Sequence, residues 1–206
     1  MRNTIDLSSV LSYGMSLSSD NDITLIGSFL EENLRHISML EINLLTLPYE
    51  SNDWSSLQLS KLNFIESIIL HISFLSGMRA QQDFGWISLT PLLLSLTPLS
   101  SLRSISFHIL LPDLGSRTLS CLRDFCWSDL DSVLSGLQGL KNIIFSLHPF
   151  LKPGIGGETE LDVVAIIQNA LPSLNKRNLL TVQFCAQDWK RMHNFSYWLV
   201  KNTCCR

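Results

Sequence analysis

The sequence predicts a right-handed α/β solenoid with a parallel sheet on its concave side and helices on its convex side. Three observations carry that prediction: a repeated segment, its near-constant period, and helical spacing ahead of most strands. In each copy a stretch with helical spacing leads through Leu-x-x-Leu into a short apolar strand that turns away through polar residues. The clearest copies are Leu99-Ser-Ser-Leu102-Arg-Ser-Ile105-Ser-Phe107-His108 and Leu137-Gln-Gly-Leu140-Lys-Asn-Ile143-Ile-Phe145-Ser146, with Ile68, Leu70 and His71 in matching places earlier. With Ile37, Ile68, Ile105, Ile143 and Leu180 as equivalent positions, the separations are 31, 37, 38 and 37 residues, a period typical of stacked supersecondary units. Such a unit is too small to bury its apolar face alone and buries it on its neighbours, so the core extends along one dimension. Strands joined by crossovers run parallel, and right-handed crossovers place every helix on one side.

The elements follow in order. Asp22 is the predicted N-cap of a first helix with Ile23, Ile26, Leu30 and Leu34 on one face. A helix around Trp86 to Leu96 must start or kink at Pro91. Ser128 with Asp131 three residues on has the form of a capping box, and Leu130, Val133, Leu134 and Leu137 follow at core-facing spacing. Thr159 with Asp162 repeats that form ahead of Val163, Ile166, Ile167 and Ala170, and Pro172 marks the turn into the last repeat. Segments 45–56, 110–120 and 149–158 are rich in Pro, Gly, Ser, Asn or Asp and are predicted loops between units. Trp189, Met192, Phe195 and Leu199 lie near one helical face, which predicts a capping helix near 188–200 over the last core surface. The expectation is one irregular repeat domain over 1–206 with about five units.

Composition narrows the function classes. A chain of 206 residues with 46% hydrophobic content can bury a sizeable core in one domain. Charged residues make up 16%, against about 25% in typical globular chains, so the surface is expected to be neutral and rich in Ser, Thr and Asn. A net charge of -3 gives no electrostatic reason to expect binding to nucleic acid or to an anionic membrane. The first residues lack the apolar core of a secretory signal, and Asp6 interrupts them. Glu66 and His71 break the apolar run from Phe64 to Leu75, and Pro91 and Pro98 break the next, so no transmembrane helix is predicted. Five cysteines, Cys121, Cys126, Cys185, Cys204 and Cys205, form no disulfide framework and fit a reducing compartment. The expected location is intracellular, cytoplasmic or nuclear. There the Asn194-Phe-Ser triplet would be idle. The last residues, Thr-Cys-Cys-Arg, do not meet the C-a-a-X pattern.

Trp127-Ser-Asp-Leu130-Asp131 and Leu102-Arg103-Ser-Ile105-Ser-Phe107 together resemble the leucine-rich-repeat region of fungal F-box-like proteins, over roughly residues 22–185. That resemblance implies a leucine-rich-repeat-like solenoid acting as a substrate-recognition arm, joined in the same chain to an F-box that docks on a cullin-type ubiquitin ligase through its small adaptor subunit. Leu47-Pro48-Tyr49-Glu50 superficially matches the opening of an F-box, but Ser-Asn-Asp-Trp follows where its amphipathic helix should continue, and no F-box is found.

Strand alternation names the expected contact residues. With Ile105 and Phe107 facing the core, Ser104, Ser106 and His108 face the concave side. The same rule gives His36 and Ser38, then Ser67, Ile69 and His71, then Asn142, Ile144 and Ser146, and finally Thr181 and Gln183. This neutral, hydrogen-bonding surface of small side chains suits an extended peptide or a partner's loop. His71 and His108 fall at equivalent places on neighbouring strands, about 4.8 Å apart, yet no third ligand lies at a convincing spacing and no metal is predicted. Arg35, Glu66, Arg103 and Lys141 share a repeat position at which Glu66 would sit in a lateral charge ladder.

The glycine loop at 154–157 lies between a predicted strand and a predicted helix, where a phosphate would be held. Thr159 occupies the place of the third glycine of the dinucleotide fingerprint, and no Gly-Lys-[Ser/Thr] follows. There is no Gly-x-Ser-x-Gly, no His-Glu-x-x-His and no matching Cys pair. The expectation is a non-catalytic protein-binding module with no cofactor, contact with a ubiquitin-ligase adaptor as the resemblance implies, and no nucleic-acid or membrane partner. The alternatives are a solitary structural scaffold, a shortened F-box relative without ligase recruitment, or a nucleotide-dependent enzyme using the glycine loop.

Overall fold

A computed structural model describes residues 12–17, 20–33, 36–44, 54–57, 59–73, 89–97, 99–111, 119–120, 122–123, 125, 127–149 and 160–185. The expected cap near 188–200, the glycine loop at 154–157, the segment 47–50, Arg35, Thr159, Cys121, Cys126, Cys204 and Cys205 lie outside the described residues.

The fold is α/β. Strands β1 (Ser12–Ser16), β2 (Met39–Asn43), β3 (Ser67–Ser73), β4 (Ser104–Leu111), β5 (Asn142–Pro149) and β6 (Leu180–Phe184) form one six-stranded sheet in sequential order. Every neighbouring pair is parallel. Between the strands lie α1 (Asp20–Asn33), α2 (Leu89–Ser95), α3 (Trp127–Gly136), α4 (Glu160–Ala170) and α5 (Pro172–Lys176), with short 3₁₀ turns at Trp54–Leu57 and Leu59–Lys61. β1 carries no Leu-x-x-Leu lead-in, and only Tyr13 and Met15 of its residues fall in register with the core positions Leu40 and Ile42. That weak signal is why the repeat spacing alone passes over it.

Each central strand is reached by apolar residues every third position: Leu59, Leu62, Ile65 and Ile68, then Leu96, Leu99, Leu102 and Ile105, then Leu134, Leu137, Leu140 and Ile143, all buried. In each series the second and third residues donate their N–H to the carbonyl three residues back, at 2.9 to 3.3 Å. Bonds of this 3₁₀ type eclipse side chains at i and i+3, so a three-residue period puts every apolar group on the core side. The strand then alternates with period two.

The approach to the strands also repeats in its backbone bonds. The Ser38 carbonyl accepts from Glu66 and Ser67, the Glu66 carbonyl from Arg103 and Ser104, and the Arg103 carbonyl from Lys141 and Asn142. One acceptor thus serves two donors of the following unit. Side chains add to this: Ser101 Oγ donates to the Ile65 carbonyl at 2.8 Å, and Arg177 Nη1 to the Ser135 carbonyl at 2.9 Å.

Ladder register corrects the second unit. Ile68, Ile105, Ile143 and Leu180 are in register as predicted, but their partner on β2 is Leu40 rather than Ile37. Ile37 is also buried; it lies three residues before Leu40, as Ile65 does before Ile68, so it belongs to the lead-in. The true separations from Tyr13 through Leu40, Ile68, Ile105, Ile143 and Leu180 are 27, 28, 37, 38 and 37 residues.

Core-facing strand residues and the apolar faces of the helices form one buried cluster. Phe107 and Phe145 stack at 4.7 Å between ring centroids, with Trp127 edge-on to Phe145 at 6.0 Å. In α1 the helix begins at Asp20, so Asp22 lies inside it rather than at its cap; Ile23 and Leu30 are buried. Pro91 sits in the first turn of α2, where a proline costs no intrahelical bond.

The capping box predicted at the start of α3 does not form. Ser128 Oγ lies 3.5 Å from Asp129 Oδ1, while the buried Asp131 carboxylate reaches across to α5, accepting from the backbone N–H of Ser173 (3.1 Å to Oδ2) and of Leu174 (3.2 Å to Oδ1). Pro172 opens α5, and Asn178, at φ 55°, closes it. The N–H of Leu179 bonds to the Leu174 carbonyl at 3.2 Å and that of Asn178 to Asn175 at 3.0 Å. This is a Schellman cap in which Asn takes the usual glycine place.

Candidate functional site

Alternation leaves one sheet face turned away from the helices, and register arranges it in rows across the strands. One row runs Met39, Ser67, Ser104 and Asn142. The next runs Gly14, Glu41, Ile69, Ser106, Ile144 and Thr181, and the third holds Asn43, His71, His108, Ser146 and Gln183. The described residues of the first two rows are half-buried or exposed. Toward the strand ends the face closes, with His71 at 9%, Ser146 at 2%, Leu110 at 7% and His148 at 5% exposure.

This arrangement places eleven of the expected contact residues on the outer face: Ser67, Ile69, His71, Ser104, Ser106, His108, Asn142, Ile144, Ser146, Thr181 and Gln183. Two of them, His71 and Ser146, are buried rather than presented. His36 and Ser38 do not belong to the face. His36 sits in a turn before β2 with its ring 5.4 Å from that of Phe64, and Ser38 precedes the strand as a carbonyl acceptor. Correct alignment of Leu40 with Ile68 replaces them by Met39, Glu41 and Asn43. Gly14 and His148 stand outside the expected set; Gly14 sits in the unrecognised strand, and His148 follows Ser146, the last residue of the repeated segment read for that unit.

A diagonal row of titratable groups crosses four strands. His71 Nε2 donates to Glu41 Oε1 at 2.6 Å, the His71 and His108 rings lie 4.9 Å apart, and His108 and His148 stack at 5.4 Å. The hydrogen bond from His71 holds the Glu41 carboxyl below its ordinary value; partial burial opposes this, and electrostatic interaction with His71 and His108 adds to it. Burial, followed by the charges of His71 and His148, lowers His108 to about 4, with Glu41 pulling the other way. His108 is therefore neutral at pH 7, whereas Glu41 is ionised.

Among the described residues, no group of three or more His, Cys, Asp or Glu is placed to hold a metal ion. The row is a string of pairs, with the His71 and His108 rings tilted and the His108 and His148 rings stacked. The expected charge ladder also takes another form: Arg103 Nη1 turns to the carbonyls of Ser100 (2.9 Å) and Gly139 (3.3 Å). Cys185 is a half-buried free thiol just past β6. Among the described residues, no helix is long and apolar enough to cross a membrane.

Compared with family models, curated proteins and solved structures, the chain matches none of them.

Proposed function

We propose that this chain is a non-catalytic protein-binding module, a leucine-rich-repeat-like right-handed solenoid whose outer sheet face is the concave recognition surface. The observation that carries this reading is the half-open face itself. Ser67, Ile69, Ser104, Ser106, Asn142 and Ile144 form contiguous rows of small polar and apolar side chains beside the Glu41 carboxylate. Such a face offers hydrogen bonds and modest apolar area without a deep enclosure, which suits a polypeptide better than a small substrate. Sequential parallel strands with a repeated carbonyl acceptor support the solenoid part of the reading. The resemblance to fungal F-box-like proteins adds a narrower version, in which the bound protein is presented to a cullin-type ubiquitin ligase.

The test places a photo-crosslinking amino acid at Ser106 on the sheet face and at exposed Leu94 on α2. Proteins crosslinked from Ser106 but not Leu94, and lost when Ile69→Asp is added, are the expected result. Recovery of the ligase adaptor and cullin with them supports the narrower version, and their absence favours a solitary binding module. Equal labelling from both positions overturns recognition through the sheet.

A further inference from the structure

Resting on the protein-binding reading, we infer that the open strip of the sheet takes a basic, polyproline II segment of a partner, with a Lys or Arg seated over Gly14 against Glu41. Among described residues on the outer face, Glu41 is the one carboxylate, and no Asp, Lys or Arg stands at the other strand positions, which are Ser, Asn, Thr, Gln, Met, Ile, Leu, Gly or His. Its side chain is 42% exposed. His71 occupies Oε1 and keeps the carboxylate ionised. The second oxygen lies above Gly14: a Cβ built on that glycine would stand 3.9 Å from Glu41 Oε2 and 3.8 Å from its Cβ, and would meet nothing else within 4 Å. Any larger residue at Gly14 would fill the approach to Oε2. As it stands, a carboxylate with one oxygen bonded to His71 and the other above an exposed glycine is the acidic point of the strip, complementary to one cationic side chain.

The rest of the row sets the partner's conformation. Counting across the strands from Gly14, Ile69 is two strands away and Ile144 is two more, with the small Ser106 between them. Two strand spacings span about 9.6 Å. A polyproline II helix repeats every three residues at 3.1 Å each, about 9.3 Å per turn. A segment crossing the strands in that conformation therefore presents residues i, i+3 and i+6 to Gly14, Ile69 and Ile144. A β-strand repeats its side chains about every 6.8 Å and falls out of step after one contact. The segment the strip fits is a cation followed, at the third and sixth positions, by apolar side chains.

The test measures fluorescence anisotropy of labelled Lys-Pro-Pro-Leu-Pro-Pro-Leu, and of the same peptide in reverse order, with the full chain. At least one direction should bind tenfold or more tightly than its Glu-for-Lys counterpart and than a peptide with Leu at the second and fourth positions from Lys. Gly14→Val and Glu41→Gln should each weaken binding fivefold or more. Gly14→Val leaves the Glu41–His71 bond in place, so its circular dichroism melt should match that of the wild type. Glu41→Lys should reverse the preference toward the Glu peptide. Equal binding by wild type and both variants, or no binding by either peptide direction, overturns the inference. If crosslinking at Ser106 still captures a partner in that case, only the basic-segment inference falls; if it does not, the protein-binding reading falls too.

Discussion

Replacing Asp131 with Ala removes the contact that joins α3 to the start of α5. The carboxylate is 6% exposed and accepts two backbone N–H groups, from Ser173 at 3.1 Å and Leu174 at 3.2 Å. Hydrogen bonds to a charged group contribute about 1.5 to 3 kcal/mol each, and a buried donor left unpaired costs on that order. Leu174 is fully buried, so its N–H loses its partner with no water to replace it, whereas Ser173 is exposed and its N–H can be solvated. The sum is therefore nearer one and a half bonds than two, about 2 to 4 kcal/mol. For a chain of this length each kcal/mol moves Tm by roughly 2 to 4 °C, so the expected loss is roughly 5 to 15 °C. In a repeating architecture the damage should be local to the end of the sheet. Hydrogen exchange should show amides across α5 and β6 opening on the order of a hundredfold faster, with β3 and β4 far less affected. Asp131→Asn should fall between, since its amide oxygen can accept one of the two bonds. An unchanged Tm for Asp131→Ala, together with unchanged exchange over Pro172–Lys176 and Leu180–Phe184, would refute the reasoning.

Asn178→Gly should stabilise the chain by about 0.5 to 1 kcal/mol in urea titration, because φ of 55° suits glycine, while Asn178→Val should destabilise it by about 1 to 3 kcal/mol. Gly139→Ala should lower Tm at a cost of roughly 1 to 3 kcal/mol, because its Cβ would stand 2.8 Å from the Leu102 carbonyl oxygen and 2.8 Å from Arg103 Nη1. Acid should destabilise the fold in two steps. His108 titrates near 4 rather than 6.5, so the unfolded chain takes up its proton first and stability falls as pH drops from about 6.5 to 4. Glu41, held below 4.5, contributes stability above that value that is lost as pH falls through its lowered one. One proton limits the His108 slope to about 1.4 kcal/mol per pH unit, and solvent screening of this part-exposed ring reduces it. His108→Gln should flatten the upper step in denaturant midpoints measured from pH 7 to 4.5, and an unchanged profile would remove His108 as its cause.

The period of 37 or 38 residues was enough to align Ile68, Ile105, Ile143 and Leu180, and the Leu-x-x-Leu-x-x-Ile-x-Phe lead-in fixed the Ile105 and Ile143 units, where a three-residue apolar period passing into alternation buries every member. The same logic placed most of the outer face, including the His71–His108 pair. It failed at β2, where Ile37, Leu40 and Ile42 satisfy both periods at once and a shift of three residues still buries an apolar side chain. That shift set His36 and Ser38 in place of Glu41, the residue on which the charge of the face depends. Asp131 shows the same limit: its spacing from Ser128 fits a local cap, but the donors it meets lie 42 and 43 residues away.

By itself, then, the sequence determined the class of fold, the parallel order of its central strands and the neutrality of their outer face, all of which follow from local periodicity and composition. Tertiary structure alone decided which part of that face is open, that burial lowers His108, and which carboxylate stands over an exposed glycine. Those properties depend on burial and on distances between residues far apart in the chain, and no local pattern encodes them.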